Sequence, residues 1–166
     1  MSERVYNEHE CFMAAALEEA KKARDLGNQA VGAVIVRDGE LLARGFNHIN
    51  SSFDMTAHAE AAALRQLTIT RRQLNPSSQA DSGPFAGAVL YSTLEPCPMC
   101  CWLTCVAGIS TLVIGARHTD LNVPYGGYTV EKLIAITERR IRVVTGILTD
   151  ECMTMYRSGL YKPGPR

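Results

Sequence analysis

Apolar and polar positions change period several times along the chain, and each change marks an element. Between residues 9 and 26 the period is helical. Phe12, Met13, Ala16, Leu17, Ala20 and Ala23 form one apolar stripe, with Glu18 four residues before Lys22 on the wet side. Gly27-Asn28 ends this helix. Val31 to Arg37 is a β-rich run, Asp38-Gly39 is a hairpin signal, and Glu40 to Ile49 reads as the return strand. Residues 58–67 are strong helix formers. Residues 68–84, with Asn75-Pro76 and Gly83-Pro84, read as a loop. Downstream the pattern predicts a short buried strand over Ala88–Ser92, a helix over Pro98–Ala107 and a strand over Leu112–Ile114. A loop over His118–Gly127, a helix over Val130–Thr137, a strand over Ile141–Thr145 and a final helix over Asp150–Ser158 follow. There is no repeat and no linker. Strands alternating with helices imply a three-layer α/β domain, and 166 residues suffice for one such domain, 1–166.

Composition narrows the partners. Seventeen basic residues balance seventeen acidic ones, so the formal net charge is zero. A protein that grips a long phosphate backbone carries basic excess, so neutrality weighs against a large nucleic-acid partner. Arg71-Arg72 and the run Arg139, Arg140, Arg142 read as solvated faces. The first ten residues are polar, and no apolar stretch approaches the roughly 18 residues of a membrane span. The expectation is a cytoplasmic protein with no membrane partner.

Six cysteines stand at 11, 97, 100, 101, 105 and 152, four of them within nine residues. A secreted disulfide framework spreads its cysteines more widely, so the cluster around Cys97-Pro98-Met99-Cys100 points to metal or redox chemistry. Cys11, Cys101, Cys105 and Cys152 read as small buried hydrophobes.

The chemistry concentrates in two stretches, Thr56-Ala57-His58-Ala59-Glu60 and Glu95-Pro96-Cys97-Pro98-Met99-Cys100. His58, Cys97 and Cys100 make three ligands, and tetrahedral zinc on three protein ligands keeps a fourth position for water, the catalytic arrangement. Cys97 and Cys100 lie three apart, on one face of a helix whose N-terminus favours thiolate. Glu60, two residues after His58, suits a carboxylate that takes a proton from water and delivers it to a leaving group. His9, His48 and His118 have no comparable partners and read as satisfied polar residues. Phe46, Phe53, Trp102 and Tyr125 suit either stacking on a base or packing in the core.

The spacing H-x-E…P-C-x-x-C is the signature of zinc nucleobase deaminases, and the chain resembles the cytidine deaminase-like superfamily. Val31–Val36, Gly45-Phe46-Asn47, the two metal motifs and Gly115-Ala116-Arg117 carry the resemblance, over roughly residues 9–117. It implies a three-layer α/β/α fold with a mixed central sheet of about five strands. It further implies one Zn2+ per chain on His58, Cys97 and Cys100, Glu60 as the catalytic proton carrier, Asn47 on the substrate and a homodimer. The tRNA adenosine deaminase, guanine deaminase and fungal cytosine deaminase branches all share features with it. The tail from Asp150 lacks the basic helix of the tRNA branch and ends Lys-Pro-Gly-Pro-Arg, which cannot continue a helix. Where the family has a small Gly-Ala pair after the second cysteine, this chain has Trp102-Leu103, a bulk that bears on pocket shape. The reading is a hydrolytic deaminase of an amino-substituted nucleobase, nucleoside or related heterocycle, with a small-molecule substrate. The alternatives are a tRNA-specific adenosine deaminase and, in another class, a non-catalytic zinc protein binding RNA or a partner. Glu60 argues against the last, because a structural zinc has no use for a proton carrier.

Overall fold

The computed structural model describes residues 7–74, 85–123 and 125–159. Its elements are α1 (Glu8–Asp25), β1 (Gly32–Arg37), β2 (Glu40–Phe46), α2 (Ile49–Ser52), α3 (Ala59–Leu74) and β3 (Val89–Leu94). They continue with α4 (Pro98–Ala107), β4 (Thr111–Ala116), α5 (Val130–Ile136), β5 (Arg142–Thr145) and α6 (Thr149–Arg157). The five strands form one mixed sheet in the order β2-β1-β3-β4-β5. β1 is antiparallel to β2 and β3, whereas β3, β4 and β5 run parallel.

Both faces of the sheet are covered, which is why its strands read as nearly continuous apolar runs. Along β1, Ala33 and Ile35 point to the core beneath α3, α4 and α5, and Val34 and Val36 to the core beneath α1 and α6. Along β4, Leu112 and Ile114 join the first core, Val113 and Ala116 the second. The expected three-layer arrangement follows from this alternation. Helix α1 starts on a capping box, in which Asn7 Oδ1 accepts from Glu10 N–H and the Glu10 carboxylate accepts from Asn7 N–H.

Beyond shifts of one or two residues at other element ends, three features depart from the sequence expectation. The return strand ends at Phe46 rather than Ile49, because Asn47 N–H bonds Val31 O and Asn47 Oδ1 accepts from Ile49 N–H, turning the chain into α2. The helix expected over 58–67 continues to Leu74, so the expected loop is helical at its start, and residues 75–84 lie outside the described part. Short α2 has no counterpart in the sequence reading. Buried Asn28 fixes it: Asn28 Oδ1 accepts from both Asn50 and Ser51 N–H.

Gly45 sets the position of the helix that bears the chemistry. A Cβ there would overlap the backbone of α3 at the Ala59 carbonyl and Ala63 nitrogen. Only glycine lets α3 lie this close to β2.

Candidate metal centre and active site

Two helix N-termini converge beside the C-terminal half of β3. Helix α3 opens at the His58 carbonyl, which accepts from Ala62 N–H at 2.9 Å. Helix α4 opens at Cys97, its N-cap, whose carbonyl accepts from Cys101 N–H, with Pro98 in the first turn. The ligand atoms of His58, Cys97 and Cys100 all lie within 4.8 Å of one another. Cys97 Sγ is 3.6 Å from His58 Nδ1, close to the roughly 3.5 Å that tetrahedral zinc imposes on a nitrogen and a thiolate bonded at ordinary lengths. The donor set therefore fits one zinc ion, and these three residues would hold it.

The electrostatics suit a cation. The hydrogen bond from the Cys100 thiol, joined by the His58 ring, lowers Cys97 to about 4. The same pairing, with burial, pushes Cys100 up, and the contact with Cys97 raises His58. One thiolate of the pair is thus readily formed. Both helix N-termini add positive potential from their unpaired N–H groups.

Glu60, in the first turn of α3, is 3 % exposed, and its Oε1 accepts from Ser92 Oγ on β3 at 3.0 Å. Burial raises its carboxyl above the ordinary range. A carboxyl lining the same cavity as His58 and Cys97 is placed to take up and return a proton, as a general acid–base group must. Asn47, 7 % exposed, spends Oδ1 on the turn before α2 and also lines the cavity described next.

His58, Glu60, Cys97 and Asn47 share a cavity of about 450 Å³ with Gln29, Val31, His118, Asn122, Tyr125 and Tyr156 among its walls. Four of these were not singled out as site residues by their local patterns: Gln29, His118, Asn122 and Tyr156. They come from three separate stretches, with His118 and Asn122 in one loop, and only the tertiary fold gathers them. His118, expected to be a satisfied polar residue elsewhere, is a cavity wall instead. It is 5 % exposed, its N–H bonds Glu95 Oε2 at 3.1 Å, and its ring packs edge-on to Tyr125. Burial holds it below the usual histidine range.

Glu95 ties this wall to the metal loop. Its carboxylate also accepts from Arg117 Nη1 and Val130 N–H, while Arg117 pairs in addition with Glu131. Tyr128 Oη donates to the Pro96 carbonyl, next to Cys97.

Other candidates fall away from the cavity. Phe53 is 97 % exposed and Trp102 51 %, and neither lines it. The bulk of Trp102-Leu103 faces outward, so it leaves the pocket's shape alone. Cys101, Cys105 and Cys152 are buried as expected, but Cys11 is exposed, on the outer side of α1. Arg139, Arg140 and Arg142 are exposed, as a solvated face requires.

Comparison with known proteins agrees with this centre. The family described as "Cytidine and deoxycytidylate deaminase zinc-binding region" matches residues 6–116. A tRNA-specific adenosine deaminase from Bacillus subtilis is 33% identical over 147 residues, 86% of this chain and 83% of that protein. The chloroplastic tRNA(adenine(34)) deaminase of Arabidopsis thaliana is 45% identical over 109 residues, 66% of this chain but only 8% of that much longer protein. Among solved structures, guanine deaminase from Nitrosomonas europaea superimposes with a TM-score of 0.71 at 27% identity, covering 93% of this chain and 85% of that one.

Proposed function

The chain belongs to the cytidine and deoxycytidylate deaminase zinc-binding family, and from that premise we propose that its substrate is a small amino-substituted nucleobase or nucleoside. The protein is a zinc-dependent hydrolytic deaminase, acting on a C–N bond. Water replaces the exocyclic amino group of a cyclic amidine, giving the ring carbonyl and ammonia. Zinc on His58, Cys97 and Cys100 supplies a Lewis acid that makes water nucleophilic near neutral pH. Glu60 accepts the proton that this water loses as its oxygen bonds to the ring carbon. It returns that proton to the amino nitrogen as the C–N bond breaks and ammonia leaves, so the carboxylate is regenerated; the remaining hydroxyl proton passes to the adjacent ring nitrogen, leaving the ring carbonyl. Ser92 Oγ orients the carboxylate. Asn47 and His118 offer polar groups to the ring edge.

The observation that carries the small-molecule reading is the make-up of the cavity wall. Among the described residues that line it there is no lysine or arginine. A flat ring needs stacking and a few hydrogen bonds in such a site, whereas a phosphate held inside it would lack a cationic partner. Zero net charge supports the same reading.

A second reading, adenosine in tRNA, rests on the 33% identity with the Bacillus subtilis tRNA-specific adenosine deaminase across most of both chains. One experiment separates them. The zinc-loaded protein is offered a panel of free bases, nucleosides and aminotriazines beside an anticodon stem-loop bearing a target adenosine. Ammonia from the panel is the expected result. Inosine in the stem-loop, with no ammonia from any small molecule, would establish the second reading.

We also propose that the enzyme is a cytoplasmic homodimer. Its six cysteines, all among the described residues, form no disulfide, and no helix among the described residues is long and apolar enough to cross a membrane. Helix α4 presents Met99, Trp102, Leu103 and Val106 to the outside, an apolar row that suits a second copy.

A further inference from the structure

Tyr156 reaches the cavity from the last turn of α6, far along the chain from the metal motifs, and its carbonyl is held there by two hydrogen bonds. The Tyr156 carbonyl accepts from Gln29 Nε2 at 2.8 Å and from Gly159 N–H at 3.1 Å. Gly159 lies so near the approach to β1 that a Cβ there would stand 2.6 Å from Ala30 N. Gln29 and Val31, on either side of Ala30, line the same cavity. The end of α6 and the start of β1 are thus fastened together along one wall, and the side chain this fastening delivers is a half-buried tyrosine packed against the core.

We propose that Tyr156 touches the substrate and selects it, its ring lying against a flat, uncharged heterocycle. A planar phenol fixed at its backbone makes a wall of defined orientation at little entropic cost. It contributes dispersion and quadrupole contacts to an aromatic ring, and a hydroxyl that can meet a ring substituent. The proposal rests on the small-molecule reading above and specifies which part of the cavity discriminates.

The test uses the full-length zinc-loaded enzyme and a base from the panel together with its ribonucleoside. Tyr156→Leu keeps an apolar side chain and removes the aromatic ring. It is expected to raise KM for the base about 5- to 100-fold, the range found when a base loses an aromatic stacking partner. It should also change the ratio of kcat/KM between base and nucleoside, with zinc content unchanged. A purely structural tyrosine would lower both substrates' kcat/KM together and leave that ratio fixed. Tyr156→Phe then assigns the contact: an unchanged KM places it on the ring face, a raised KM on the hydroxyl. If Tyr156→Leu fails to fold, Tyr156→Met, unbranched and of similar reach, takes its place with the same expectations. A wild-type KM and ratio in the folded aliphatic variant would overturn the proposal. Should wild-type enzyme deaminate only the stem-loop, the small-molecule reading fails by itself. Tyr156 is then judged on the stem-loop with adenine or 2,6-diaminopurine at the target position, where an unchanged ratio in the variant again refutes it.

Discussion

Glu60 and Cys97 separate two functions that lie within one cavity. Replacing Cys97 by Ala removes a thiolate from a three-ligand set, so zinc content should fall from about one ion per chain towards none. Elemental analysis showing full zinc in Cys97→Ala would remove that residue from the centre. Glu60→Gln keeps the shape and the hydrogen bond with Ser92 but cannot carry the proton. It should retain zinc and the wild-type melting temperature while turnover falls at least about 10²–10⁴-fold, the usual worth of a positioned acid–base group. A steady-state assay beside metal analysis distinguishes the two variants. Asn47→Ala should lower kcat/KM with zinc intact, although part of the loss comes from the turn that Asn47 Oδ1 makes with Ile49. His58, Glu60, Cys97 and Cys100 were legible in the sequence because two short motifs carry ligand chemistry in fixed spacing. His118 and Tyr156 were not, since each becomes a cavity wall through long-range contacts: His118 through Glu95, Tyr156 through Gln29.

At the level of elements, the centre depends on how closely α3 lies on β2. Gly45→Ala drives a methyl into the backbone of α3 at Ala59 and Ala63, directly beside His58 and Glu60. Backbone cannot rotate aside as a flexible side chain does, so the helix must move. The expected cost is that of overpacking, about 1–3 kcal/mol, or roughly 3–10 °C in Tm for a chain of this size. Activity should fall by more than the lost stability explains; a thermal melt and a kcat at a temperature where both proteins are folded check this. A wild-type kcat would mean that α3 moves without carrying the site along. The helices and strands themselves were largely readable from period, because both sheet faces are buried and the helices are amphipathic. The turn after Phe46 was hidden by the apolar Ile49, which reads as strand but sits in α2. Helix α4 carries the other element-scale expectation. Trp102→Glu puts charge on its outward row, away from the cavity, and should convert a dimer into a monomer with zinc retained. Light scattering that gives the single-chain mass for the wild type refutes the dimer.

On the scale of the whole molecule, the balance of charge decides what salt can do. A protein that neutralises six to ten phosphates loses about 10³–10⁵ in affinity between about 50 and 200 mM salt, because every contact releases counterions. This chain has no excess of cations to release them. The described walls of its cavity hold none either. Arg117, bonded to the cavity-lining Glu95, is already engaged: it is bound to Glu95 and Glu131, and that pairing pulls Glu131 below the ordinary carboxylate range. Binding of an uncharged ring therefore depends on stacking and on hydrogen bonds in a desolvated pocket, where screening has little to act on. We expect kcat/KM for the true base or nucleoside to change by less than about twofold between roughly 50 and 300 mM salt, in contrast to the steep decline of an RNA-bound enzyme. A salt titration of initial rates with the best substrate of the panel measures it. A logarithmic slope steeper than about −3 would mean that several phosphates are being gripped, and would point to arginines such as Arg139, Arg140 and Arg142, exposed on the outside of the fold, as the surface that grips them.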